Sequence, residues 1–185
     1  MQTQPTTAAD PLYQEHRLIE RMVGLMNRTV TRIKDTGRAD LSALGQIIDF
    51  LRFYADRCHH GKEEDVLFQA LAGKTLEPRH MELMEQLIKE HQLGRHNVHK
   101  LDEACRAYEK GDQDALEEIT ANLEILATFY PKHIDKEDNR FFPDGLLYLT
   151  DREQKALLRL YAEFDRQLIH EKYERMVTAL EKGER

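Results

Sequence analysis

Residues 58–68 read CHHGKEEDVLF, a stretch rich in histidine and glutamate. His60 and Glu64 are four residues apart, and on an α-helix this spacing places both side chains on one face, one turn apart. The same arrangement recurs at His133 and Glu137, within the sequence HIDKEDNRF. Both stretches fit the pattern H-x-x-x-E-D-x-x-F, which predicts two helices that each present an imidazole and a carboxylate on one side.

A further histidine precedes each of these stretches within a shared E-H-x-L pattern. His16 lies 44 residues before His60, and His91 lies 42 residues before His133. The chain therefore contains two copies of one unit, and each copy supplies two histidines and one glutamate. A single pair can arise by chance in a chain with nine histidines, but a repeated unit at near-equal spacing indicates a shared function.

Length and composition restrict the class of protein. A chain of 185 residues is long enough to bury the core of one domain. The formal net charge of −7 argues against nucleic acid and against an anionic membrane surface as partners. The two cysteines form no C-x-x-C motif, which is typical of a reducing compartment. Because residues 1–10 are polar and no long apolar stretch occurs, we expect a cytoplasmic protein without a membrane anchor.

The periodicity of apolar residues predicts an all-α fold. Apolar side chains recur every three or four residues, and the sequence lacks the sustained alternation of strands. The predicted architecture is an up-down-up-down four-helix bundle with an additional C-terminal helix. We expect residues 1–10 to form a mobile tail, 11–142 to form the bundle, and 143–185 to form a C-terminal helix packed on the bundle.

The predicted second helix carries apolar residues on two sides. Leu67 and Leu71 share a face with His60, whereas Leu44 and Ile48 point the opposite way. A helix that is apolar on two sides needs cover on both. The C-terminal helix and a second copy of the chain are the two candidates, so a homodimer through this outer face or through the C-terminal helix is one expected assembly.

Antiparallel packing of the first four helices brings six candidate metal ligands to comparable depth. The six are His16, His60, Glu64, His91, His133 and Glu137. Burying so many polar groups without partners costs on the order of several kcal/mol, and a metal pair removes that cost. Imidazole and carboxylate suit iron, manganese or zinc, and six ligands exceed the need of one tetrahedral zinc. The sequence thus predicts two ions that each have two histidines, with Glu64 and Glu137 bridging them and open positions for a small ligand.

Other polar residues near these positions have two interpretations each. Glu20, one turn after the first predicted ligand, is either an extra ligand or an exposed carboxylate. Tyr13 and Tyr130 lie one turn from predicted ligands and either donate hydrogen bonds beside them or fill the core. His59 is expected to point about 100° away from His60 and therefore toward the surface or toward an outer position beside the ligands.

The order E-H-x-L, H-H-G-K-E-E-D, E-H-x-L and H-x-x-x-E-D resembles the hemerythrin-like, HHE cation-binding proteins. The resemblance covers roughly residues 11–142 and implies a non-haem di-iron centre, bound at the six positions above, with a role linked to oxygen or iron. Oxygen-carrying members place a further histidine one turn after the histidine of the third helix, where this chain has Arg95. Because arginine cannot ligate a metal, we expect a more open and more reactive site.

Two functions of different classes are compatible with this pattern. In the first, the protein binds iron and a small molecule (O2, NO or H2O2) in an oxygen-, iron- or redox-sensing or handling role. In the second, the same centre is an enzyme with peroxidase, catalase or oxidase activity, which the substitution at Arg95 favours slightly. A purely structural helical module is a third interpretation, and it requires a metal-free protein of full stability.

Overall fold

The computed structural model describes residues 5–165 and 169–183, and helices make up most of both ranges. α1 is Asp10–Thr36, α3 is Pro78–Glu109, α5 is Asp151–Phe164 and α6 is Ile169–Lys182. No β-strand occurs in the described ranges, which confirms the all-α prediction. In the same ranges, no helix combines the length and the apolarity needed to cross a membrane.

α2 and α4 are continuous helices that contain π-helical turns. α2 runs through Leu41–Asp49, the π-helical segments Phe50–His60 and Glu63–Leu67, and Phe68–Ala72. α4 runs through Ala115–Lys136, the π-helical turn Glu137–Phe141 and Phe142–Gly145. A short 3-10 turn, Leu146–Tyr148, leads toward α5. A π-helical turn contains an extra residue and so changes which side chains face inward beyond it.

Local sequence explains where several helices begin and end. The Asp40 carboxylate accepts hydrogen bonds from the amides of Ser42 and the next residue, and it caps the start of α2. Gly37 follows α1 with a φ of 62°, a left-handed conformation that favours glycine. Thr150 and Glu153 form a reciprocal capping box at the start of α5, as their sequence pattern predicts.

Two hydrophobic clusters fill the interior, and polar residues lie between them. The larger cluster includes Met22, Ile47, Leu101, Leu123 and Tyr173. The smaller cluster includes Leu12, Leu67, Leu87, Phe141 and Tyr161. Along α1 and α3 the chain passes from the smaller cluster to the larger, and along α2 and α4 it passes from the larger to the smaller. On all four helices, the predicted site lies where the chain changes cluster.

The C-terminal helices cover the outer apolar side of α2. Tyr173 of α6 packs against Phe50 and Tyr54, with ring centroids 5.6 Å apart in both pairs. α5 packs on the π-helical turn Glu63–Leu67. The C-terminal helices are therefore one of the two elements expected to cover this side of α2. Association of two copies of the chain stays a prediction. The expected single C-terminal helix is two helices, and residues 166–168 between them lie outside the described residues.

Part of the predicted N-terminal tail belongs to the packed fold. Residues 1–4 lie outside the described residues, but Ala8 and Ala9 are fully buried. The amide of Ala8 donates a hydrogen bond to Oε1 of Gln154 on α5, 3.2 Å away. The packed chain therefore begins before the predicted boundary at residue 11, because these small residues fit between α1 and the C-terminal helices.

Candidate metal centre

Seven side chains meet between the two hydrophobic clusters, and each residue is at most 2% exposed. Their candidate ligand atoms form two groups, and within each group these atoms lie within 4.8 Å of one another. The first group contains His16, His59, Glu63 and Glu137, and the second contains His60, His91 and His133. We call these seven residues the central cluster.

Two glutamates connect the groups. Oε1 of Glu63 lies 3.5 Å from Nε2 of His59, and Oε2 of Glu63 lies 3.4 Å from Nε2 of His91. Oε2 of Glu137 lies 3.3 Å from Nε2 of His16, and its Oε1 lies 3.2 Å from a histidine of the second group. Each carboxylate therefore reaches both groups, as a ligand shared by two ions must.

Carboxylates outside the central cluster orient its imidazoles. Nδ1 of His16 lies 2.6 Å from Oδ1 of Asp138, and Nδ1 of His59 lies 2.9 Å from Oε2 of Glu15. An ionised carboxylate only accepts hydrogen bonds, so Nδ1 carries a proton and Nε2 is the nitrogen that faces the central cluster. Such carboxylate–histidine pairs are the usual outer support of imidazole ligands in metal sites.

The same support occurs on the other side of the central cluster. Nδ1 of His91 lies 2.6 Å from Oε1 of Glu64, and Nδ1 of His133 lies 2.9 Å from Oε2 of Glu90. Glu15 and Glu90 each also pair with a lysine. We call His16, His59, Glu15 and Lys62 the first half of the centre, and His91, His133, Glu90 and Lys136 the second half.

The Nε2 nitrogens of each half face one another. The Nε2 atoms of His16 and His59 are 2.9 Å apart, and those of His91 and His133 are 3.1 Å apart. With Nδ1 protonated, each contact is favourable only if a proton on one Nε2 or a metal ion lies between the two rings. Burial lowers the pKa of His16 and of His133, but their carboxylate partners raise it overall, to about 9 for His133, and a metal ion bound at Nε2 would take the place of that proton. Adjacent nitrogen ligands about 2.1 Å from an octahedral ion lie about 3 Å apart, so both contacts have the spacing of metal-binding pairs.

Several buried atoms of the central cluster have no hydrogen-bond partner within the described part of the chain. These atoms are both carboxylate oxygens of Glu63, both of Glu137, and Nδ1 of His60. Burial and the nearby charge of Glu137 raise the pKa of Glu63 well above its usual value. Burial also raises the pKa of Glu137, but contact with His133 and other imidazoles lowers it well below its usual value overall. Such unsatisfied groups are costly, and a bound cation would satisfy them.

The structure places one predicted ligand, Glu64, outside the central cluster. Its carboxylate accepts hydrogen bonds from Nδ1 of His91 and from Nη2 of Arg95. Glu63 occupies the inward position that was predicted for Glu64. Glu63, and not Glu64, is therefore the residue placed to contact both groups. His59, which was expected to point away from the site, is 1% exposed and lies in the first group.

The π-helical turns explain this difference. The prediction assumed the α-helical rotation of about 100° per residue, but Phe50–His60 is π-helical, with a rotation of roughly 80°. Both His59 and His60 consequently face the interior. A second π-helical turn follows, closed by the amide of Phe68 donating to the carbonyl of Glu63. Leu67 and Leu71 remain buried after this turn. Their spacing alone therefore does not show whether Glu63 or Glu64 faces the interior.

The sequence repeat is clearer when it is aligned on the observed cluster. Glu15-His16 is followed by His59-x-x-Lys62-Glu63-Glu64, and Glu90-His91 by His133-x-x-Lys136-Glu137-Asp138. The two histidines of each unit are then 43 and 42 residues apart. Corresponding residues make corresponding contacts, and Phe142 stacks on His16 as Phe68 stacks on His91. The shared lysine is the sequence signal that identifies Glu63 and His59.

His60 is the residue that distinguishes the second half. The corresponding position in the second unit is Ile134. The His60 ring stacks on that of His91, with centroids 3.9 Å apart, so it adds a third imidazole to the second half. Burial and the neighbouring imidazoles lower the pKa of His60 well below its usual value. A neutral imidazole is the form that binds a metal.

Arg95 lies beside the second half without entering it. Its Nε donates to Asp56 and its Nη2 donates to Glu64, both at 2.6 Å. A cavity of about 230 Å³ adjoins it, and His60, Val98 and Tyr130 are among the lining residues. The expected shortage of ligands at Arg95 stays a prediction, but His60 brings a third imidazole to this half.

The remaining candidates lie outside the central cluster. Glu20 pairs with Arg17 at 3.0 Å and its side chain is 41% exposed, which agrees with the exposed interpretation. The hydroxyl of Tyr13 donates to the carbonyl of Asp138 at 3.4 Å, so Tyr13 contacts the residue that orients one imidazole. Tyr130 is buried and lines the cavity, and burial raises its pKa.

Comparison with known proteins agrees with this arrangement. A family model described as the hemerythrin HHE cation-binding domain matches residues 7–144. Uncharacterized proteins of Mycobacterium bovis and Mycobacterium tuberculosis are 24% identical over 141 residues. These matches cover 75% of this chain and 53% of each relative, so the chain spans about half the length of the curated relatives it matches. No solved structure matches. Because the family model covers most of the chain and all of the central cluster, the chain belongs to the hemerythrin HHE cation-binding domain family.

Proposed function

We propose that the protein is a non-haem di-iron protein that binds O2, NO or peroxide in an oxygen-, iron- or redox-sensing or handling role. Each half of the centre holds one iron ion within an up-down-up-down four-helix bundle, and Glu63 and Glu137 span both ions. The observation that carries the proposal is the pairing of inward Nε2 atoms in each half, at 2.9 and 3.1 Å, beside the buried carboxylates of Glu63 and Glu137, which have no hydrogen-bond partner in the described part of the chain. Membership of a cation-binding family supports it.

The set of ligands favours iron. The central cluster offers five imidazoles and two carboxylates, and neither cysteine belongs to it. Magnesium and calcium prefer oxygen ligands, and a structural zinc site needs four ligands only. Mixed nitrogen and oxygen ligands in a set this large suit a pair of iron ions.

The first half leaves more coordination positions for an added ligand than the second. Counting one oxygen from each shared carboxylate, the first half offers four protein donors, and the second, with His60, offers five. An octahedral ion accepts about six donors, so an ion bound in the first half would have roughly two positions left for an added ligand. The two ions would hold and activate a small ligand there, while the chain supplies a dry, oriented site.

The chain's own residues prepare that site in two ways. Glu15 and Asp138 hold a proton on Nδ1 of His59 and of His16, which directs Nε2 of each ring toward the central cluster. The ring of Phe142 stacks on His16 at a centroid distance of 5.8 Å and shields it from water. Low water access strengthens every electrostatic interaction in the site.

Metal stoichiometry tests the proposal. Anaerobic titration with Fe²⁺, followed by desalting and metal analysis, should give two ions per chain. Glu63→Ala or Glu137→Ala should lose at least one ion because each carboxylate contacts both halves. Glu64→Ala should keep two ions with an affinity lower by about tenfold, since Glu64 only orients His91. Saturation of the unaltered protein at one ion would overturn the dinuclear proposal.

Removal of the metal tests the structural alternative. Without metal ions, the central cluster retains unsatisfied carboxylate oxygens and Nε2 pairs that only a shared proton can hold together. We expect chelation to lower the melting temperature by roughly 5–10 °C, as loss of a tight ligand does. An unchanged melting temperature would instead support a helical module that does not depend on metal.

A peroxidase is the second candidate function, and the cavity beside His60 is the observation that favours it. Its volume of about 230 Å³ is several times the roughly 30 Å³ that one water occupies in the liquid. It therefore has room for an organic reductant in addition to a diatomic ligand. Reversible spectral change of the iron-loaded protein with O2 or NO supports binding, and sustained consumption of H2O2 with a reductant supports the enzyme.

A further inference from the structure

A buried lysine connects the first half of the centre to the C-terminal helices. Lys62 is fully buried, and its ammonium group contacts the carboxylates of Glu15 and Asp165, the latter at 2.5 Å. Nε2 of His170 lies 2.7 Å from the same oxygen of Asp165. Asp165 directly follows α5 and His170 belongs to α6, so both groups come from the C-terminal part of the chain.

Glu15 continues this connection to the central cluster. Its Oε1 contacts Lys62, and its Oε2 lies 2.9 Å from Nδ1 of His59. An unbroken chain of charged and polar groups thus runs from Asp165 through Lys62 and Glu15 to His59. Anything that moves Lys62 also moves the carboxylate that orients this imidazole.

In the second half, the lysine at the equivalent position of the repeat has a different environment. Lys136 pairs with Glu90, which in turn contacts His133 at 2.9 Å. The side chains of Lys136 and Glu90 are 23% and 16% exposed, whereas those of Lys62 and Glu15 are 0% and 2% exposed. Water can replace part of the support for the second pair, but the first pair depends on groups of the protein.

A buried ammonium group is stable only beside carboxylates. The ammonium group of Lys62 has two such partners, Glu15 and Asp165. If α5 and α6 separate from the bundle, Asp165 leaves with them and water reaches Lys62 and Glu15. Glu15 then no longer holds His59 in one orientation.

We propose that docking of α5 and α6 and metal binding in the first half are coupled through Asp165, Lys62, Glu15 and His59. The docked helices hold His59 in its ligating orientation, and metal binding in turn holds the helices on the bundle. Thermodynamic linkage requires both directions to have the same magnitude. The inference rests on the proposed metal-binding function, but Asp165 and His170 lie beyond residue 144, where the family match ends.

The coupling is tested by replacing Lys62 in the full-length protein. Lys62→Met removes the charge and keeps much of the apolar stem, so it breaks the chain at its centre and leaves only the 3.4 Å contact between Nε2 of His170 and Oε1 of Glu15. We expect the affinity of one of the two Fe²⁺ sites to fall by about 10- to 100-fold, the usual effect of losing outer support of a ligand. Anaerobic Fe²⁺ titration with metal analysis measures this effect.

Hydrogen–deuterium exchange tests the reverse direction. Amides of α6 should exchange about tenfold more slowly in the Fe²⁺-loaded protein than in the metal-free protein. This difference should disappear in Lys62→Met. Equal exchange with and without Fe²⁺ in the unaltered protein would overturn the coupling.

Two lysines provide matched controls. Lys172 of α6 pairs with Asp49 at 3.2 Å on the exposed side of the same interface, without contact with the central cluster. Lys172→Met should leave both Fe²⁺ affinities unchanged. Lys136→Met should weaken one site by about threefold at most, because its pair is partly solvated. Equal losses in Lys62→Met and Lys136→Met would show that the C-terminal helices add nothing, and the proposal would fail.

A second variant keeps the test decisive if Lys62→Met does not fold. Asp165→Asn changes the outer end of the chain, where the side chain is 29% exposed. It should reduce the iron-dependent protection of α6 and weaken one Fe²⁺ site by several fold; unchanged protection and affinity would contradict the coupling. Failure of the unaltered protein to bind Fe²⁺ would refute the proposed function, whereas two sites that ignore both substitutions would refute only the coupling.

Discussion

The first half of the centre lies beneath α5 and α6, whereas the second half lies beside a cavity that reaches His60. Each half has one pair of repeated imidazoles, two carboxylates that orient them, and one lysine at the equivalent position of the repeat. They differ in what surrounds these groups: the first lysine is fully buried, and the second is 23% exposed. The first half also has one imidazole fewer.

This difference shows how a repeated unit can acquire two roles. Under the proposed function, the first half would leave more coordination positions free while having less contact with water, which suits a site that must protect a bound ligand. The second half would offer more protein ligands beside a cavity, which suits an ion held firmly by the protein. Added helices and one histidine produce this difference without altering the repeated motif.

Removal of single histidines should have the largest effect on the comparison. His59→Ala leaves the first half with one imidazole, and we expect the variant to retain a single Fe²⁺ after desalting. His60→Ala leaves the second half with the same donors that the first half has naturally. It should therefore retain two ions, with one affinity about tenfold lower.

Metal analysis of both variants measures this prediction. His99→Ala is the control, because the His99 side chain is 65% exposed and pairs with Glu103 at the surface. It should retain two ions with unchanged affinity. Two tightly bound ions in His59→Ala would show that His59 is no ligand, and a loss of both ions in His60→Ala would contradict the independence of the halves.

The helices and three of the four repeated histidines were accessible from the sequence because local patterns determine them, whereas His59 was expected to point away from the site. Apolar spacing and caps such as Asp40 indicate the helix positions, and antiparallel helices bring His16, His91 and His133 to one depth. The choice between Glu63 and Glu64 depends on π-helical turns, and leucine spacing fits both registers. The repeated Lys62 and Lys136 would have resolved it.

Contacts with the C-terminal helices were less predictable. The sequence indicates that the second helix needs cover on two sides, but it does not identify which polar groups meet there. Lys62 and Asp165 are 103 residues apart, and their contact depends on the packing of α5 against α2. No local pattern encodes such a contact. The contrast between the two halves therefore emerges only in the folded chain.

Neutralising the orienting glutamates should have the second largest effect. Glu15→Gln leaves the ammonium of Lys62 buried with one carboxylate fewer, so we expect unfolding of the metal-free protein to become easier by about 3 kcal/mol. Glu90→Gln affects a partly solvated pair and should cost less than about 1 kcal/mol. Urea unfolding in the presence of a chelator measures both values. Equal costs would show that the first half is no better shielded from water than the second half.

A tyrosine of α5 allows a finer test of how well the first half is shielded from water. The Tyr161 hydroxyl is buried and has no hydrogen-bond partner within the described ranges. Burial and the nearby carboxylates of Glu63 and Glu15 raise its pKa. Removing an unsatisfied buried hydroxyl relieves its desolvation cost, so Tyr161→Phe should stabilise the metal-free protein by about 1 kcal/mol.

Tyr148→Phe is the matched control for this substitution. The Tyr148 hydroxyl lies 2.7 Å from Nδ1 of His80, so its loss should destabilise the protein by about 1 kcal/mol. The same urea measurement compares the two variants. Destabilisation of the metal-free protein by Tyr161→Phe would mean that its hydroxyl has a partner, such as ordered water, and that the first half is wetter than its contacts indicate.

Arg95 should produce the smallest effect, and it tests the open side of the comparison. The guanidinium bonds to Asp56 and Glu64 and its side chain is 37% exposed, so Arg95→Ala should cost less than about 1 kcal/mol. Both ions should remain, because Glu64 still contacts His91. Arg95 lines the cavity, so its truncation should accelerate azide binding to the iron-loaded protein by roughly threefold in stopped-flow measurements.

Arg95→His should behave like Arg95→Ala, because His60 already supplies the third imidazole. A third bound ion or a more stable ligand complex in Arg95→His would show that the second half still lacks a ligand.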